Sequence, residues 1–150
     1  MKRKDLIKNV WGIGLTLLLL FGCSPQASLT PTVAPAKPKP GATLVGTIAM
    51  DWAKSAQITL KVSDDGKAIT SVRVDFTNIR CEKSTGGSMT TEIDGLNAPI
   101  TGGKFEVKSS SIGEISGRFT SPTAVQGTVH LDFFDGNDEC GTWEWSATGN

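Results

Sequence analysis

Tyrosine is absent from this 150-residue chain, and histidine occurs once, at His130. With no phenol and a single imidazole, acid–base catalysis near neutral pH has few groups to work with, and a metal could draw on one nitrogen ligand only. Cysteine is limited to Cys23, Cys81 and Cys140, too few for a thiolate metal cluster. The apolar stretch Val10–Phe21 falls well short of the roughly 20 residues that a membrane-crossing helix needs. Charge is balanced, 15 Lys/Arg against 15 Asp/Glu, which argues against nucleic acid as a partner. No window carries a convincing helical period, so a helical bundle is excluded as well.

What is present begins at the N-terminus. Met1-Lys2-Arg3-Lys4 is followed by the apolar Leu17-Leu18-Leu19-Leu20 and then Phe21-Gly22-Cys23. A charged start, an apolar stretch and a small residue before the cut are the parts of an export signal. With cysteine at the end, Leu20–Cys23 resembles the lipobox of bacterial lipoproteins. That resemblance implies cleavage before Cys23, a diacylglycerol on Cys23 Sγ, and an exported protein held at the cell envelope by its lipid. An uncleaved membrane helix and an ordinary secreted chain are the alternatives.

Residues 1–22 hold four of the basic residues and one of the acidic ones, so a cleaved chain keeps 11 and 14, a net charge near −3. A mildly acidic domain should touch the membrane through acyl chains, each buried CH₂ contributing about 0.8 kcal/mol, and not through electrostatics. With Cys23 lipidated, Cys81 and Cys140 remain as an even pair in an oxidising compartment, which reads as one disulfide.

Residues 24–42 contain Pro25, Pro31, Pro35, Pro38 and Pro40 among Ser, Thr, Ala and Lys. Such a segment buries no core and favours extended polyproline II, reaching at most roughly 60 Å. The expected organisation is therefore a signal peptide at 1–22, a lipidated Cys and Pro-rich linker at 23–42, and a folded domain at 43–150.

Within that domain, period-two alternation dominates. Ala56, Ile58, Leu60 and Val62 alternate with polar residues; Asp64-Asp65-Gly66-Lys67 marks a hairpin turn; then Ala68, Thr70, Val72, Val74 and Phe76 share the next strand's inner face. Further strands are expected at Leu44–Met50, Ser88–Ile93, Lys104–Lys108, Gly113–Thr120, Val125–Phe134 and Thr142–Ala147. Seven or eight short antiparallel strands predict an all-β fold, a β-sandwich, with a β-barrel as the alternative. Gly117-Arg118-Phe119, Gly127-Thr128 and the closing Cys140-Gly141-Thr142-Trp143-Glu144-Trp145 resemble a pattern of exported bacterial β-sandwich domains. The likeness implies a fold and a location, and no activity.

Few constellations carry chemistry. Asp132, Asp135, Asn137, Asp138 and Glu139 have a composition suited to Ca²⁺, but their spacing is not that of a known loop, and a solvated turn is the expected reading. Trp143 and Trp145 alternate with polar residues as core aromatics do, whereas Trp52, beside Asp51 and Lys54, is the better candidate for a ligand-stacking aromatic. Glu92 with Asp94, or Glu106 with Glu114, would be the carboxylate pairs open to a glycosidase reading. No nucleophile–base signature accompanies them. The sequence therefore predicts a non-enzymatic, lipid-anchored binding or accessory domain. Polysaccharide or an envelope protein is the expected partner, with no cofactor beyond the covalent lipid. A purely structural or stress-related envelope lipoprotein is the alternative, and a hydrolase the third reading.

Overall fold

The computed structural model describes residues 35–50, 55–83, 86–133 and 138–150. Eight strands follow in order: β1 (Thr43–Ile48), β2 (Ser55–Val62), β3 (Ala68–Thr77), β4 (Ser88–Pro99), β5 (Lys104–Ser109), β6 (Gly113–Ser121), β7 (Ala124–Phe133) and β8 (Asp138–Gly149). The fold is all-β, as the alternation predicts. Every consecutive pair except β4 and β5 forms an antiparallel ladder, and β1 also pairs with β8, giving one sheet in the order β4-β3-β2-β1-β8-β7-β6-β5. The sheet wraps around a single core and nearly closes, an arrangement that the sandwich and barrel readings share. Its seam lies between β4 and β5, which meet through the turn where Thr101 and Lys104 exchange backbone bonds of 2.9 and 3.0 Å.

Inward residues from all parts of the sheet fill the interior, with Leu44, Ile58, Leu60, Val72, Val74, Ile115, Phe119, Val129 and Leu131 essentially without solvent exposure. Phe105 packs against Phe119 and Trp145, ring centroids 6.2 and 6.3 Å away. Because β4 is an edge, its inner residues Met89, Ile93, Leu96 and Ala98 are only half-buried. It is also longer than the expected Ser88–Ile93. Its register jumps from Ser71↔Asp94 to Ile69↔Ala98, and the irregularity at Gly95–Asn97 interrupts the alternation that would have announced the rest of the strand. The same irregularity corrects the inner face expected for β3: Ile69 is fully buried and Ser71 is buried, while Thr70 turns its hydroxyl to the Lys61 carbonyl.

Tight curvature requires glycine at two places above all. A Cβ on Gly46 would lie 1.8 Å from the Ser146 carbonyl oxygen, and one on Gly127 would lie 1.9 Å from that of Ser116. Backbones approach there too closely for any side chain, as at a barrel corner.

The two ends of the wrapped sheet differ. One gathers the β2–β3, β4–β5 and β6–β7 turns. In the first, Ser63 Oγ donates to Asp65 Oδ1 and accepts from the Lys67 and Ala68 amides. Residues 35–42 run across this end as a strap. Lys39 N–H donates to Pro122 O, Gly41 N–H to Ser63 O, and Val62 N–H to Ala42 O. Pro38 is buried, and Ala36 packs against the core. Pro35 and Ala36 lie over Gly103, and Pro38 and Pro40 over Gly66, so near that a Cβ at either glycine would press on them. The last residues of the Pro-rich segment thus belong to the folded unit. The opposite end carries the β3–β4 and β7–β8 connections, which the disulfide joins.

Candidate functional site

Of the residues singled out in the sequence, Cys23, Trp52, Asp135 and Asn137 lie outside the described residues, as does the side chain of Asp138. Cys81 and Cys140 are bonded, with Cα atoms 3.9 Å apart. Beside them Glu82 N–H donates to Glu139 O at 2.9 Å. Glu139 is exposed. Asp132 is half-buried, its Oδ1 enclosed without a hydrogen-bond partner. Among the described residues no three His, Cys, Asp or Glu side chains converge on a metal-sized point.

The aromatics separate. Trp145 is buried in the core, its Nε1–H without a hydrogen-bond partner, an arrangement that costs about 1–3 kcal/mol. Trp143 is half-buried and lies over Gly141 at the edge of the core. His130 points outward as expected and hydrogen-bonds through Nδ1 to Thr142 Oγ1 at 2.9 Å.

Three of the four carboxylates considered for catalysis, Glu92, Glu106 and Glu114, lie in ion pairs with Arg73 or Lys108. Lys108 Nζ sits 2.9 Å from Glu106 and 3.2 Å from Glu114. Hydrogen bonds to these two acids raise the Lys108 pKa. Arg73 binds Asp75 through two hydrogen bonds of 2.9 and 3.0 Å and reaches Glu92 at 3.8 Å. The Arg73 bonds, followed by one from Thr90, hold the Asp75 carboxyl below its ordinary range.

The outer face of β6, β7 and β8 is concave. A groove of about 440 Å³ is lined by Thr47, Arg118, Gln126, Thr128, Glu144 and Ser146. A second, of about 510 Å³, continues past Arg118 and Thr128 to Ser116, Glu106, Lys104 and Thr101. Strand register creates this surface. Arg118, Gln126 and Ser146 stand in one cross-strand row, Ser116, Thr128 and Glu144 in the next, and Ser116 Oγ and Thr128 Oγ1 are 2.9 Å apart. The lining is hydroxyls, an amide and a few charges on rigid strands. It can hydrogen-bond a polar ligand along its length.

Sequence reading did not single out Arg118, Gln126 or Glu144. The signal was nevertheless there, because each occupies an outward position between inward-facing neighbours on its strand: Arg118 between Gly117 and Phe119, Gln126 between Val125 and Gly127, Glu144 between Trp143 and Trp145. No protein-family model, curated protein or solved structure matches this chain.

Proposed function

We propose that the chain is a lipid-anchored protein of the bacterial cell envelope whose β domain is a non-enzymatic binding module. The observation that carries this reading is the succession Leu20-Phe21-Gly22-Cys23, a Pro-rich tether, and a folded domain closed by a disulfide. The lipobox-like segment supplies the anchor, and the disulfide agrees with an oxidising compartment. The binding part of the proposal is supported by the polar groove on β6–β8. Hydroxyl, amide and charged groups from Thr128, Gln126, Arg118 and Glu144 match the hydrogen-bonding surface of a polysaccharide. The core aromatics Trp145 and Phe105 are used for packing, so affinity in the groove would come from hydrogen bonds and not from ring stacking.

Two measurements test the two parts. Labelled palmitate should enter the wild-type protein and not Cys23→Ala, while both give the same melting curve; equal labelling sinks the anchor. Binding of isolated envelope polysaccharide to the full protein, followed by calorimetry, should weaken at least tenfold in Gln126→Ala with Glu144→Ala. Unchanged affinity would move the ligand off this groove.

A further inference from the structure

The net charge of the chain conceals a segregation that only the fold reveals. Lys37 and Lys39 lie on the strap, Lys67 in the β2–β3 turn, and Lys104 at the start of β5, all exposed and all at the strap end of the sheet. Lys104 stands directly opposite Arg118 in the β5–β6 ladder. The acids at this end are Asp64 and Asp65, and Asp65 is occupied by Ser63 and by the Lys67 ammonium at 3.7 Å. Among the described residues, Lys37, Lys39 and Lys104 enter no ion pair. Among the described side chains, the opposite end carries Glu82, Asp132 and Glu139 with Arg80 and Lys83.

We infer that the strap end is a docking surface for anionic lipid headgroups, and that it orients the domain with its disulfide end away from the membrane. The inference rests on the anchoring proposed above. Chain geometry supplies the second argument. A lipid on Cys23 would be joined to Pro35 by residues 24–34, which span at most about 34 Å in polyproline II. Pro35 lies at the strap end, beside Gly103. An anchor joined through Pro35 therefore enters the domain at its lysine-bearing end. A lysine near an anionic surface gains roughly fivefold in occupancy, an effect confined to about one Debye length.

The test is amine acylation of the full lipidated protein on vesicles, read lysine by lysine by mass spectrometry. On phosphatidylglycerol vesicles at low salt, Lys37, Lys39, Lys67 and Lys104 should react about threefold or more slowly than on phosphatidylcholine vesicles. Lys83, at the other end, should react equally on both. At about 1 M salt, where the Debye length is about 3 Å, the four rates should recover. Lys37→Glu with Lys39→Glu, both exposed, should release Lys67 and Lys104 as well. Equal rates on the two lipids, protection at Lys83, or protection that survives salt would each overturn the inference. The mass of the Cys23 peptide reports lipidation separately. If that lipid is missing, the anchor fails, and the same labelling with the unlipidated chain among vesicles still decides whether the strap end seeks anionic lipid.

Discussion

Replacing Cys81 and Cys140 together with alanine should lower stability by about 4 kcal/mol. The bond joins residues separated by 59 positions, and the chain-entropy estimate for a loop of that length is about 4 kcal/mol. The topology explains why the constraint is worth that much. The closed loop contains β4, β5, β6 and β7, and the bond crosses the end opposite the strap, linking the β3–β4 connection to β8. Besides it and the Glu82–Glu139 backbone bond, the two halves of the sheet are joined by the β1–β8 ladder, the β4–β5 turn, the strap across the other end and the shared core. A domain of this size has an unfolding entropy near 0.25 kcal/mol/K, so the melting midpoint should fall by about 15 °C. Far-ultraviolet circular dichroism on heating reads that shift. The wild-type protein melted in excess reductant should coincide with the double variant. A fall of less than about 3 °C, or reductant that leaves the wild type unchanged, would refute the reasoning, because the loop would then be held closed by contacts that need no covalent bond.

Gly46→Ala should cost about 3 kcal/mol or more, at the upper end of overpacking effects, since its new methyl would meet the Ser146 carbonyl and the Ala147 Cα of β8; an unchanged urea midpoint would show that β1 and β8 are farther apart. Asp75, held below its ordinary pKa by Arg73, stabilises the fold above the unfolded carboxylate range near pH 4, and that contribution is lost as pH falls through the lower folded value. Acid titration of Asp75→Asn should therefore lie slightly beneath the wild-type curve at neutral pH and converge with it as pH falls through the lowered folded value; a wider gap in acid would reverse the sign. Melting in millimolar Ca²⁺ and then in chelator should give the same midpoint, because a site filled to a hundredfold excess over its Kd would add about 2.7 kcal/mol. A shift of several degrees removed by Asp135→Ala would make the acidic segment a calcium site.

The fold was legible wherever a strand has one dry face and one wet face. The β2–β3 hairpin announces itself because Ala56–Val62 alternates strictly and Ser63–Lys67 carries its own turn chemistry. Legibility fails where the pleat is interrupted. At Ile69–Ser71 the register shift buries two residues that strict alternation would separate. At Gly95–Asn97 it hides the second half of an edge strand whose inner face is only half-covered. The disulfide could be read by elimination, since one cysteine suited a lipid and two remained.

The surface was harder to read, for a different physical reason. Lysines at positions 37, 39, 67 and 104 are far apart in sequence, and nothing local marks them as neighbours. Antiparallel meandering makes them so: every second turn returns to the same end, and the strap docks across those turns through Lys39–Pro122 and Gly41–Ser63 bonds. Composition could show only that the charges nearly cancel. Because screening limits each lysine to about one Debye length, cancellation over the whole chain does not govern what one end of it meets. The tether's attachment point selects which end that is. On the anchoring proposed above, a segment that in sequence looks like mere spacing would set, through where Pro38 is buried and where Pro35 leaves the domain, which surface faces the membrane.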